Sequence, residues 1–156
     1  RLRPVGDAIS GLGPRRMPQR DGCMTATDSA FSRTRSGPCV LVIDDDAFMR
    51  DMARIHLERA GYHVILARGG ADGLEKTESV IPDVILLDYA MPGMSGWDIL
   101  QKLRGDARTA SVPVIMLTAW SSDQNRRQVK SLGAVWLEKP VSGETLVTAV
   151  NRLAPG

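Results

Sequence analysis

Three carboxylates and one lysine follow apolar runs at matching intervals, and together their chemistry is that of phosphoryl transfer. Val40-Leu41-Val42-Ile43 runs into Asp44, Asp45 and Asp46. Val84-Ile85-Leu86-Leu87 runs into Asp88, and Val135-Trp136-Leu137-Glu138 into Lys139 and Pro140. Carboxylates brought to one place repel one another unless a cation joins them. A cluster of hard oxygen ligands suits Mg²⁺, which commonly takes one or two carboxylates and completes its shell with water and phosphate. The lysine supplies the remaining positive charge.

Elements must bring these residues together. Short apolar runs rich in β-branched residues read as strands buried on both faces, as in parallel sheets. Between them the pattern changes to helical spacing. Met49, Met52, Ala53, Leu57 and Ala60 share one stripe, and Gly61 ends that helix. A second strand is predicted at 62–66, a helix at 70–80 and a third strand at 83–87. Ser95 caps the next helix, which carries Leu100 and Leu103 inward. A fourth strand follows at 112–117. Then comes a very polar helix from Ser121 or Ser122 to Gly133, whose main apolar residues are Val129 and Leu132. A fifth strand at 134–137 and a helix at 143–153 complete the series. Such alternation means a parallel sheet with helices on both faces, and its carboxyl edge is where α/β proteins place their sites.

Each site residue alone has a plainer explanation. Asp46 is a helix cap, Asp88 an ordinary turn starter, Thr118 a strand-end hydroxyl and Lys139-Pro140 a turn. The combination is more telling, because one fold carries Asp-Asp, Asp, Thr and Lys to one edge. A Lys at the end of a buried strand also needs a partner.

Charge is unevenly distributed. Residues 1–37 hold seven Arg and three Asp, whereas the remainder holds 13 Lys/Arg and 15 Asp/Glu. The basic balance therefore belongs to the first segment, and no direct nucleic-acid contact is expected of the folded part. Gly and Pro interrupt any period in 1–37, so it reads as a flexible basic N-terminal extension or linker, or as leader sequence before a start at Met24. Two cysteines are too few for a disulfide framework and suit a reducing, cytoplasmic setting. No apolar run approaches the roughly 18 residues of a membrane helix.

Four motifs in this order carry a family likeness: Leu-Val-Ile-Asp-Asp-Asp at 41–46, Leu-Leu-Asp-Tyr-Ala-Met-Pro-Gly-Met-Ser-Gly at 86–96, Met-Leu-Thr-Ala at 116–119 and Leu-Glu-Lys-Pro at 137–140. Over residues 38–153 the chain resembles a response-regulator receiver domain of two-component signalling, similar to the single-domain chemotaxis receiver. The resemblance implies a flavodoxin-like, doubly wound, five-stranded parallel sheet of order 2-1-3-4-5 with five helices, spanning 38–156. It implies that Asp88 accepts a phosphoryl group from a histidine kinase or phosphotransfer protein. Asp44, Asp45, Asp88 and the backbone carbonyl of Ala90 would hold Mg²⁺, with Mn²⁺ as an alternative. Lys139 would contact the phosphoryl oxygens, and Thr118 and Trp136 would relay the change to the face of the fourth helix, fifth strand and fifth helix. An unknown downstream protein would read that face, the chain being a monomer or a weak phosphorylation-dependent dimer.

Some positions depart from the family pattern. Trp136 replaces the usual Tyr or Phe, and Ser95 stands where Asp is frequent. Ala90 and Trp120 occupy the two places that flank the hydrolytic water. Neither offers a base there, so slow self-dephosphorylation is expected. The family acts by signalling rather than as an enzyme. Three other readings compete: the terminal receiver of a hybrid histidine kinase, a pseudo-receiver adaptor indifferent to phosphate, and a haloacid-dehalogenase-type phosphatase with Asp44 as nucleophile. Phe48 stands where that phosphatase signature wants Thr or Val. Nothing after the last helix resembles an output domain.

Overall fold

Alternation along the first strand divides the core in two. The computed structural model describes residues 37–119 and 122–155. In it β1 (Cys39–Ile43) turns Leu41 and Ile43 to one layer and Val40 and Val42 to the other. The chain then runs α1 (Ala47–Arg59), β2 (His63–Ala67), α2 (Gly70–Ser79), β3 (Val84–Asp88), α3 (Gly96–Gly105), β4 (Val114–Thr118), α4 (Asp123–Ser131), β5 (Val135–Glu138) and α5 (Gly143–Leu153). The strands form one sheet of order β2-β1-β3-β4-β5, with every pair parallel. One layer packs Ala53 and Leu57 of α1 and Leu146 and Val150 of α5 against Val42, Leu86 and Leu117. The other packs Ile99, Leu100 and Leu103 of α3 and Val129 of α4 against Ile43, Leu87 and Met116. This is the parallel sheet flanked by helices that the alternation predicts, in the doubly wound, flavodoxin-like order that the resemblance implies.

From β2 onward the strand limits fall one or two residues later than the apolar runs suggest, for identifiable reasons. Tyr62 is spent on closing α1. Its N–H donates to the Leu57 carbonyl at 3.0 Å and that of Gly61 to Glu58 at 3.0 Å, with Gly61 at φ +95°. This is a Schellman close, so β2 begins only at His63. Pro113 has no N–H for the ladder, and β4 begins after it. At the other end the ladder extends into the polar residues. Asp88 pairs with Leu117 and Thr118 with Glu138.

β5 corrects one expectation. Residues 135–138 read as a strand buried on both faces, yet Val135 is 38% exposed and Trp136 and Leu137 are half-buried. It is an edge strand with no neighbour beyond it among the described residues, so an apolar run of this kind does not distinguish edge from centre.

α4 is held lightly, as its polar sequence predicts. Val129 is its one buried residue. The Arg104 guanidinium, projecting from α3, secures the far end. It donates to the carbonyls of Leu132 at 2.7 Å, Val112 at 2.8 Å and Ala110 at 3.2 Å. Burial pulls this guanidinium below its ordinary pKa. Arg104→Met should therefore cost about 2 kcal/mol, because orphaned, partly buried carbonyls cost about 1–3 kcal/mol. Urea unfolding reads this directly. A midpoint equal to the parent's would show that water replaces the clamp at no cost.

Candidate metal and phosphoryl site

The strand order reverses around β1, which lies between β2 and β3, so the switch point falls at the carboxyl ends of β1 and β3. Ligands of open α/β sheets bind at such a switch point. Here β1 delivers Asp44 and Asp45, β3 delivers Asp88, and the β5 end delivers Lys139. Carboxylate oxygens of Asp44, Asp45 and Asp88 lie within 4.8 Å of one another. The Lys139 Nζ donates to Asp88 Oδ1 at 3.0 Å and to Asp44 Oδ2 at 3.3 Å. Lys139 is set there by the β4–β5 ladder, its N–H donating to the Thr118 carbonyl at 2.8 Å. Residues read from three separate segments thus converge.

Burial differs among the three carboxylates. Asp44 is 2% exposed and Asp88 5%, while Asp45 faces solvent. Asp44 is fully engaged. Its N–H donates to the Ala67 carbonyl at 3.2 Å, and its Oδ1 accepts from the Asp46 N–H at 2.9 Å. Its backbone carbonyl accepts from the Arg50 guanidinium at 2.8 Å. Asp46 caps α1 through the Phe48 N–H, the plain role its position suggests. Asp45 draws no hydrogen bond to its carboxylate from the described residues.

Burial pushes the Asp88 carboxyl up to about 6. The Lys139 bond pulls it down, and the charges of Asp44 and Asp45 push it further up. Burial alone would lower the Lys139 ammonium, yet its bond to Asp88 and the charge of Asp44 hold it above its usual range. Three carboxylates facing one lysine leave negative charge in excess. A set of hard oxygen donors with that excess fits Mg²⁺.

The loop after β3 is held tightly around Asp88. Gly96 opens α3 and donates its N–H to the Tyr89 carbonyl at 2.8 Å. A Cβ there would collide with the Asp88 carbonyl and come within 2.8 Å of the Tyr89 Cα, so only glycine lets α3 begin this close. Ser95 caps α3 in a reciprocal box with Asp98. Ala90 lies exposed in the loop.

Thr118 is fully buried at the end of β4. Trp136 sits on β5, its ring centroid 6.1 Å from that of Tyr89 and tilted by 57°. Its indole N–H is buried without a hydrogen-bond partner among the described residues. Arg126 of α4 forms an ion pair with Glu138 of β5. Trp97 is half-buried against the core. Trp120 and the segment 1–36 lie outside the described residues. The Arg50 and Arg104 bonds to carbonyls were not anticipated. A cation in the first turn of α1, a turn that itself holds no acid, was the available signal for Arg50.

Fold and site define an α/β module whose acidic pocket sits at the carboxyl edge of a parallel sheet. The chain belongs to the response regulator receiver domain family, which it matches over residues 40–151. It is 40% identical over 117 residues to the DNA-binding dual master transcriptional regulator RpaA of Synechocystis, a match covering 74% of this chain and 48% of that one. Protein PilH of Pseudomonas aeruginosa is 34% identical over 118 residues, covering 75% of this chain and 98% of its own length. The chain spans about half the length of the transcriptional regulators it matches, RpaA and the PhoB of Pseudomonas aeruginosa. Among solved structures, the Vibrio cholerae chemotaxis protein CheY4 superimposes with a TM-score of 0.72 at 34% identity, covering 76% of this chain and 99% of that one. No helix among the described residues is long and apolar enough to cross a membrane.

Proposed function

We propose that the chain is a phosphoacceptor of two-component or phosphorelay signalling, and that Asp88 is the residue phosphorylated. The observation that carries this is the convergence of Asp88 with Asp44, Asp45 and Lys139 at one sheet edge. An Asp88 carboxylate oxygen attacks phosphorus in line. The bond from phosphorus to the donor breaks, the donor leaves with that electron pair, and an acyl phosphate remains on Asp88. Phosphoryl transfer asks the protein mainly for positioning and charge stabilisation. Lys139, already bonded to Asp88, is placed to meet the incoming oxygens. Asp44, Asp45, Asp88 and the Ala90 carbonyl would hold Mg²⁺ or Mn²⁺, which when bound supplies charge neutralisation on the transferring group.

The new oxygens arrive beside the end of β4. Thr118 then serves as their hydroxyl donor, and Trp136 carries the change to the surface of α4, β5 and α5. α4, which buries Val129 alone, is the element with least apolar surface to lose by moving. That face would be read by a downstream protein. Ala90 offers only a methyl group and an exposed backbone, which suits a long-lived phosphoryl group. The phosphodonor is a histidine kinase or phosphotransfer protein in the cytoplasm. Residues 38–156 form the receiver, and 1–37 extend from it.

A receiver within a hybrid kinase is the second reading. A 35% identical match to the hybrid signal transduction histidine kinase D of Dictyostelium discoideum favours it. The phosphorylation chemistry is the same in both.

Acetyl phosphate tests the assignment, since a small acyl phosphate needs no docked kinase. Intact mass should show one added phosphoryl group on the parent, and none on Asp88→Asn or after metal chelation. Full labelling of Asp88→Asn would reject Asp88. Labelling lost only in Asp44→Asn would favour the phosphatase reading.

A further inference from the structure

We infer that Arg50 is a positioning residue for the metal-binding loop, aiming the Asp45 carboxylate through the backbone. The inference rests on the phosphoacceptor reading above. Arg50 lies in the first turn of α1, where a cation opposes the helix dipole and an acidic residue is favoured. That turn carries no acid. The guanidinium reaches back instead to the carbonyl of Asp44 at 2.8 Å.

This carbonyl belongs to the peptide joining Asp44 to Asp45. Peptide planes are rigid, so fixing the carbonyl direction fixes the N–H of Asp45 and its N–Cα bond, and with them the point from which its side chain departs. Every other polar atom of Asp44 is held independently: its N–H by Ala67, Oδ1 by Asp46 and Oδ2 by Lys139. Arg50 closes the set. Asp45 has no such support of its own, because its exposed carboxylate accepts no hydrogen bond from the described residues. Its aim therefore depends on the backbone that Arg50 holds.

Charge and positioning predict opposite signs, which makes the inference testable. If Arg50 acted only as a nearby positive charge, removing it would tighten the binding of a divalent cation. If it aims a ligand, removing it loosens binding. Losing a group that orients a metal ligand typically weakens affinity by about 10–100-fold. Mg²⁺ titration by calorimetry, on protein shown to be folded by circular dichroism, should give Arg50→Met about tenfold weaker affinity than the parent. Arg50→Lys, which keeps a donor and a charge, should recover most of it. In an Asp45→Asn background, Arg50→Met should have little further effect, because the ligand being aimed is gone.

Equal or tighter Mg²⁺ binding by Arg50→Met would overturn the inference while leaving the phosphoacceptor reading intact. An equal loss from Arg50→Met in both backgrounds would assign it a general structural role and also overturn the inference. A parent that binds no Mg²⁺ and takes no phosphoryl group would reject the underlying reading and the inference with it.

Discussion

Asp45→Ala is expected to bind Mg²⁺ on the order of thirtyfold more weakly than the parent. The reason lies in how the three carboxylates are occupied. Both oxygens of Asp44 already accept hydrogen bonds, one from the Asp46 N–H and one from Lys139. Asp88 shares Lys139 through Oδ1. Asp45 alone keeps its carboxylate clear of partners among the described residues, so it has the least to give up as a direct ligand. Two unit charges about 4 Å apart are worth about 4 kcal/mol at an effective dielectric of about 20. Halving this for an exposed site leaves about 2 kcal/mol, which is roughly thirtyfold in affinity. Asp44→Ala should do its damage differently, by freeing Lys139 and the Asp46 N–H as well as removing a ligand. Calorimetric titration of both variants separates the cases, and an Asp45→Ala affinity within twofold of the parent would remove Asp45 from the ligand set.

The parts of the site that could be read from the chain are those carried by strand ends. An apolar run places its last polar residue at a sheet edge whatever packs around it, so Asp44, Asp88, Thr118 and Lys139 were legible from local pattern. The two core layers were legible for the same reason, since alternation along β1 sorts Leu41 and Ile43 from Val40 and Val42. Contacts from long side chains to distant carbonyls were not. Arg104 reaches Leu132 across 28 residues, and nothing local marks that carbonyl as needing a donor. The Arg126–Glu138 pair joins a helix to a strand whose relative placement comes only from the assembled sheet. β5 was misjudged because edge position is a property of strand order, while its Val-Trp-Leu composition is what a central strand would show. The start of β4 was recoverable, since Pro113 carries its own warning.

Asp88→Asn should make the metal-free protein more stable at neutral pH, by about 1–2 kcal/mol. The parent buries a carboxylate whose folded pKa stands near 6, against an ordinary 3.8. A carboxyl raised in the folded state contributes stability that is fully present below its unfolded pKa and lost as pH rises through the folded value. The ionised group then costs about 3 kcal/mol, at about 1.4 kcal/mol for each pH unit between the two pKa values. Asparagine fills the same space without that charge. It returns part of the gain by weakening the bond to Lys139, which keeps Asp44 as a partner at 3.3 Å. The difference between variant and parent should therefore be small at pH 4, open between pH 4 and 7, and stay level above. Mg²⁺ should narrow it again, because a ligand that binds only the folded parent stabilises it by mass action. Urea unfolding across this pH range, with and without the metal, measures all three arms. A parent at least as stable as Asp88→Asn at pH 8 in chelator would mean that the pocket holds its carboxylates without strain, the excess negative charge being relieved by Lys139 alone.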